Sequence, residues 1–167
     1  VSLGSSSLGG AALTGDNNVG LGYKAGFALT SGSNNVAVGH ESLMTEDGNG
    51  TNVAIGHQTL KVQNAGSDAY NVAVGYLAGN AITSGVQNTI IGGLAGDALT
   101  TGSFNNLIGV SAGRTITIGR YNVANGHGAL SSNILTDGNV AVGFQALQVA
   151  VGDGSTNNQT TYNTAVG

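Results

Sequence analysis

Residues 35–39 of the chain read NVAVG, and close copies of this pentapeptide return along nearly the whole sequence. The copies stand at 18–22 (NVGLG), 52–56 (NVAIG), 71–75 (NVAVG), 88–92 (NTIIG), 105–109 (NNLIG), 122–126 (NVANG), 139–143 (NVAVG) and 163–167 (NTAVG). Six of the nine intervals between the closing glycines, counted from Gly4, are 17 residues long. The sequence is therefore a repeat with a unit of 17 residues, and the longer intervals place insertions before the motif Asn.

Apolar residues alternate within the pentapeptide, which indicates a short β-strand. Val36 and Val38 share one face and Ala37 lies on the other. Short strands at a fixed spacing, without a hairpin signal between them, predict an all-β solenoid, a parallel β-roll in which each 17-residue unit is one rung. We expect stacked Val and Ile side chains to fill the interior, stacked Asn side chains to form amide ladders, and each Gly to permit a bend. The repeat residues on which this fold prediction depends are Asn35, Val36, Val38, Gly39, Asn52, Val53, Ile55, Gly56, Asn71, Val72, Val74, Gly75, Asn139, Val140, Val142 and Gly143.

Composition excludes several other classes. The 167 residues include 30 Gly, no Pro, Cys or Trp, and only 7% charged residues, with a formal net charge of −4. Collagen and coiled coils need compositions that this chain lacks. Four cationic residues cannot form a phosphate-binding surface, so no nucleic-acid partner is expected. No apolar run reaches the roughly 18–20 residues of a membrane span, so direct membrane insertion is not expected either.

The prediction for the whole chain is a single repeat domain, residues 1–167, of about nine to ten rungs and truncated at both ends. The alanine face of each strand is too small to contribute much to a monomeric core. Small side chains repeated along one face allow another backbone to approach closely. We therefore expect the roll to pack laterally against copies of itself, and a homotrimer is the favoured assembly.

The repeat N-x-[VT]-A-[VI]-G-x-x-A resembles the head repeats of YadA-like trimeric autotransporter adhesins. The longer-linked variants, such as SGSNNVAVGHESL from residue 31, resemble the repeats of bacteriophage tail fibres even more. This resemblance implies a left-handed roll, a homotrimer, and attachment to a cell-surface receptor or glycan. It also implies an extracellular location, on a virion or a bacterial surface. Asn125 departs from the pattern at an expected aliphatic position, which predicts a rung that is either locally disrupted or binds water.

The three histidines, His40, His57 and His127, each follow a motif Gly directly. Because neutral imidazole is a common metal ligand, one interpretation is a metal-binding or pH-sensitive ladder. The other is a slot for planar side chains that stack between rungs, since Tyr and Phe occupy it elsewhere. The second interpretation is favoured, and no metal is expected.

Three tyrosines, Tyr70, Tyr121 and Tyr162, each precede a motif Asn. They are candidates for stacking against a sugar ligand, and the alternative is that they cover the edge of the roll. No catalytic or nucleotide-binding motif occurs. The chain is therefore expected to be neither an enzyme nor a cofactor-binding protein.

The resulting functional hypothesis is a non-enzymatic structural and adhesive segment of a surface fibre. Two alternatives stay open. One is a purely structural extracellular filament. The other is an ice-binding solenoid, for which a flat threonine ladder is needed; Thr30, Thr83, Thr100 and Thr117 share a register, but Met44 and Lys61 fall near it in other rungs.

Overall fold

The computed structural model describes residues 1–9, 12–132, 136–148, 159–160 and 162–167. Ten short strands form one parallel sheet, and two further strands form a second, two-stranded parallel sheet. The strands of the large sheet are β1 (Ser2–Leu3), β2 (Val19–Leu21), β3 (Val36–Val38), β4 (Val53–Ile55), β5 (Val72–Val74), β6 (Thr89–Ile91), β7 (Asn106–Ile108), β8 (Val123–Asn125), β10 (Val140–Val142) and β12 (Thr164–Val166). The small sheet pairs β9 (Thr136–Asp137) with β11 (Gln159–Thr160).

The strand register confirms the repeat. Val36 of β3 pairs with Val53 of β4, one 17-residue unit further on, and Val53 pairs with Val72, across a two-residue insertion. Val140 pairs with Thr164 across the longest insertion. The chain is thus a β-solenoid of about eight turns with rungs of about 17 residues. None of the described residues forms a helix that is long and apolar enough to cross a membrane.

The predicted asparagine ladder is confirmed. The side-chain oxygen of each motif Asn accepts the backbone N–H of the motif Asn on the next rung, at 2.9–3.2 Å over eight successive steps from Asn18 to Asn163. From Asn71 onwards the side-chain amides also donate to one another, at 3.1–3.2 Å. Because the ladder lies inside the roll, its hydrogen bonds satisfy polar groups that water cannot reach.

The assignment of the two strand faces was wrong. Ala37 and its equivalents are buried, whereas the Val and Ile residues on either side of them point outward. The reason is that successive side chains of a strand point to opposite faces. Asn35 points inward to join the ladder, so Ala37, two residues on, points inward as well. The repeat residues that the sequence placed in the interior and that lie on the outer face are Val36, Val38, Val53, Ile55, Val72, Val74, Val140 and Val142.

The interior is filled from the opposite wall of the roll. Where a strand contributes a small Ala, a Leu or Ile from the segment after the motif Gly packs against it. These buried residues are Leu29, Leu43, Leu60, Ile82, Leu99, Ile116 and Leu130, and in two rungs the strand itself contributes Ile90 or Leu107 in place of Ala. The alanine face is therefore part of the monomer core, which contradicts the expectation that it serves lateral packing.

The rung of Asn125 is intact, contrary to the expectation of local disruption. Strand β8 pairs with both of its neighbours, and Asn125 lies beside Ile108 and Val142 in register. Its side chain is on the outer, exposed face. A polar residue there leaves the core unchanged, so the fold tolerates it.

Candidate functional site

The first exposed feature is the outer face of the ten-stranded sheet. We call it the outer β-branched face and define it by the first and third residue of each three-residue strand of this sheet, from β2 to β12. Ile55 and Ile91 are each 38% exposed, and Val72 and Val142 are each 36% exposed. Adjacent rungs place Val and Ile side chains in two parallel rows along the solenoid. Asn106 interrupts one row and Asn125 the other, and the remaining apolar side chains are candidates for an interaction surface.

A second feature is a stack of rings beside this face. Tyr23, His40, His57 and Tyr76 follow one another on four successive rungs, with ring centroids 5.0–5.3 Å apart. Gly93 and Val110 interrupt the stack, and His127 stacks on Phe144 further along, at 5.4 Å. The structure thus brings His40 next to His57 and leaves His127 apart. Within the described part of the chain, no three side chains of His, Cys, Asp or Glu come together as a metal site.

The charged residues beside the ring stack are paired. Glu41 accepts hydrogen bonds from Lys61 at 2.8 Å and from Gln58 at 2.9 Å. These contacts hold the pKa of the Glu41 carboxyl below its usual range, Lys61 having the larger effect. The Nδ1 atom of His40 lies 4.0 Å from the same carboxylate. Lys24 lies over the rings of Tyr23 and Phe27.

A third feature is a column of aromatic residues at the corner where each rung turns into its strand. Tyr70, Tyr121 and Tyr162 are 56%, 58% and 77% exposed, as a ligand-stacking role requires. The sequence analysis missed Phe104, which precedes Asn105 and occupies the same slot. Its ring stacks on that of Tyr121, with centroids 5.0 Å apart and planes within 5° of parallel. The sequence does contain a signal for Phe104, because it stands directly before a motif Asn, as the three tyrosines do.

The corner column has a costly backbone conformation. Tyr70, Phe104, Tyr121 and Tyr162 all have positive φ, between 44° and 63°. Bulky residues seldom adopt this left-handed conformation, which Asn and Gly tolerate better. The other rungs carry Asn17, Asn34, Thr51, Gln87 and Gly138 in this slot, all with positive φ, so the conformation belongs to the rung itself. Aromatic side chains in this slot are therefore placed there at a conformational cost.

A shallow groove lies beside Phe104. It has a volume of about 280 Å³ and is lined by Thr101, Ser103, Phe104, Ile118 and Arg120. Arg120 is held at one side by Asp137, whose Oδ2 lies 4.0 Å from the Arg120 Nε. Asp137 also accepts the backbone N–H of Arg120. The groove thus combines an aromatic ring, an aliphatic wall, a hydroxyl and an oriented guanidinium.

The threonines of the possible ice-binding row form hydrogen bonds within the solenoid. The hydroxyls of Thr30, Thr83 and Thr100 each donate to a backbone carbonyl of the next rung, at 3.0–3.4 Å. Asp47 occupies the same register after Thr30 and breaks the row. These hydroxyls stabilise the stacking of rungs, and they do not form an unbroken ladder.

Two buried polar residues, Glu46 and Gln63, stand at a core position that holds Leu29 and Ile82 on the flanking rungs. Both are fully buried. Glu46 Oε1 accepts the backbone N–H of Asn49 at 3.2 Å, but Glu46 Oε2 and Gln63 Nε2 are buried without a hydrogen-bond partner. Burial raises the pKa of the Glu46 carboxyl, against the smaller opposing effect of the hydrogen bonds from Asn49.

Glu46 predicts a pH-dependent stability. Because its pKa is higher in the folded state, its stabilising contribution is full below the pKa of an unfolded Glu and is lost as pH rises through the folded value. We expect Glu46→Gln to unfold at the same temperature as the wild type near pH 4. The variant becomes the more stable of the two as pH rises to 8. Thermal unfolding followed by circular dichroism across this range measures the difference.

Glu41→Gln is the matched control, five residues away. The pKa of Glu41 is lowered on folding, so its contribution is present above the unfolded pKa and lost as pH falls. This variant should be less stable than the wild type at neutral pH and equal to it in acid. A pH-independent difference for Glu46→Gln would show that the carboxyl is not ionising inside the roll.

Comparison with known proteins gives no relative: no protein-family model, curated protein or solved structure matches the chain.

Proposed function

We propose that this chain is a non-enzymatic structural and adhesive segment of a homotrimeric surface fibre, built from left-handed rolls. The fibre belongs to a phage tail or a bacterial surface and attaches to a receptor or glycan outside the cell. The observation that carries this proposal is the outer β-branched face. It is a surface that a monomer would leave in water, and it runs along the sheet from β2 to β12.

The residue pattern of this face supports self-association. Every strand from β3 to β6 and also β10 presents a Val, Ile or Thr at both of its outer positions. Burying such side chains contributes roughly 25 cal/mol per Å² of apolar surface removed from water. Because the rows repeat at the rung spacing, one copy of the chain offers another a surface of the same pitch.

The rest of the structure supports a mechanical role. Backbone ladders link successive rungs along the sheet, and the asparagine ladder adds a second row of hydrogen bonds. Each rung contacts mainly its neighbours, as in other solenoids, which makes the chain a stiff rod. All three described ion pairs between Lys or Arg and a carboxylate join neighbouring rungs, so the charges also serve rung stacking.

The self-association prediction is tested at Val38. Its side chain lies on the outer face, so we expect Val38→Asp to fold and to lose the trimer, since charge at an apolar interface is desolvated without a partner. Asn125, at the same slot of another rung, indicates that the strand accepts a polar residue there. Light scattering of the wild type should give three times 16.3 kDa, and that of the variant a single chain.

Ser84→Asp, which adds the same charge on an exposed turn, is the control and should remain trimeric. A wild type that scatters as a monomer refutes the homotrimer. Open-ended growth of the wild type into filaments, visible by electron microscopy, would favour the purely structural filament instead.

A further inference from the structure

We infer that the groove beside Phe104 binds a pyranose ring of a surface glycan, with Phe104 as the stacking platform and Arg120 as the hydrogen-bond donor to adjacent sugar oxygens. The inference rests on the proposed adhesive function and adds to it a site and a ligand class.

The first support is the aromatic pair itself. Phe104 is 41% exposed and has φ of 63°, a combination that neither burial nor backbone preference favours. This slot has positive φ in every rung, so the exposed aromatic side chain, and not the backbone conformation, distinguishes Phe104 from the Asn, Thr, Gln or Gly of other rungs. Tyr121 lies against one face of the Phe104 ring at 5.0 Å and fixes its plane. Tyr121 is therefore a positioning residue, and the Phe104 side chain is the wall of the groove.

The second support is the chemistry of the opposite wall. Arg120 presents a planar set of N–H donors that matches two neighbouring oxygen acceptors, as in vicinal hydroxyls or a carboxylate. Asp137 anchors this side chain at its Nε. Thr101 is exposed and adds a hydroxyl, while Ile118 adds an apolar contact. An apolar ring face together with convergent polar groups is what a sugar ring requires.

The third support is size and position. At about 280 Å³ the groove falls just below the roughly 300 Å³ at which pockets for drug-sized ligands begin, which suits a single sugar unit. All five lining residues precede the motif Asn of their rungs, whereas the outer β-branched face follows it. A trimer formed through that face does not require the groove, so three copies of the site can act together and raise a weak affinity by avidity.

The test uses the full chain and defined sugars. Saturation-transfer NMR is run with the methyl pyranosides of glucose, galactose and mannose, with methyl glucuronide and with N-acetylneuraminic acid. We expect millimolar binding of at least one of them. Binding confined to the two acids assigns the ligand to anionic glycans, and binding of the neutral sugars assigns it to vicinal hydroxyls.

The variants locate the site. Phe104→Asn places a residue that suits the left-handed slot, as Asn17 and Asn34 do, and should reduce the affinity at least tenfold. Phe144→Asn also removes an exposed aromatic ring, on another rung and away from the groove, and should leave the affinity unchanged. Arg120→Gln gives an independent loss should Phe104→Asn fold poorly. Equal binding by the wild type, Phe104→Asn and Arg120→Gln overturns the inference, as does binding of none of the five sugars.

Light scattering on the same samples separates this inference from the proposed function. A trimeric wild type that binds no sugar removes the glycan site and leaves the fibre proposal standing. A monomeric wild type that binds sugar through Phe104 removes the fibre proposal and leaves the glycan site standing.

Discussion

Gly75→Ala is expected to destabilise the solenoid by about 3 kcal/mol or more, through strain and overpacking together. Gly75 directly follows strand β5 and has φ of 137°, a conformation that L-residues with a side chain rarely adopt. A Cβ there would lie 2.6 Å from the carbonyl oxygen of Gly92, one rung away. Because that oxygen belongs to the backbone of a packed rung, neither atom can move without disturbing the register. Thermal unfolding should report a midpoint lower by about 6 °C or more.

Two other glycines separate the two causes of this loss. Gly66 has φ of 72°, and a Cβ added there meets nothing within 4 Å, so Gly66→Ala measures strain alone and should cost about 1 kcal/mol. Gly93 has neither an unfavourable φ nor a close neighbour, and Gly93→Ala should be neutral or slightly stabilising. If Gly75→Ala were no worse than Gly66→Ala, the close contact between rungs would not exist in solution.

Much of the fold was predictable because a repeat multiplies a weak local signal. A three-residue strand carries little information by itself, but nine copies, most of them 17 residues apart, determined the rung length, the strand register and the sites of insertion. The asparagine ladder followed from the same spacing, since identical residues on adjacent parallel strands lie opposite one another. Residues such as Asn35 and Gly39 were therefore located correctly without any structure.

The direction of the strand faces was not predictable from hydrophobicity alone. Val36 and Ala37 are both apolar, and the larger side chain is ordinarily the buried one. The decisive residue was Asn35. Because its ladder lies inside the roll, every second residue after it also points inward, which places Ala37 inside and Val36 outside. The outer Val and Ile residues are then the surface that the fibre proposal uses for association, in place of the alanine face expected from the sequence.

The site residues that the sequence analysis missed differ in type from the residues at the same position of other rungs. Phe104 replaces a polar residue at the corner slot, and Glu46 replaces Leu or Ile in the core. A column-by-column comparison of rungs would have identified both. Their exposure, their contacts and the raised pKa of Glu46 depend on packing across rungs, which spacing does not report.

Asn88→Leu is the second substitution with a large expected effect. The Asn88 side chain donates to Asn71 Oδ1 at 3.1 Å and to the Gly102 carbonyl at 3.0 Å, and its oxygen accepts from the backbone and side-chain amides of Asn105. Leucine has a similar volume but forms none of these bonds. The Gly102 carbonyl and the Asn105 N–H then lose this partner inside the roll, at about 1–3 kcal/mol for each buried group. We expect a total loss of roughly 2–6 kcal/mol, measured by denaturant unfolding.

Asn106→Leu is the matched control, since it makes the same chemical change one rung further on. Asn106 lies on the outer, exposed face of β7, where Val occupies the slot in most rungs. This variant should keep the wild-type stability or exceed it, because an apolar side chain suits that face. The contrast between the two asparagines isolates the ladder from any general effect of leucine. A loss below about 1 kcal/mol for Asn88→Leu would mean that water or a neighbouring group replaces the ladder, and the rungs would then be held by their backbone and core contacts alone.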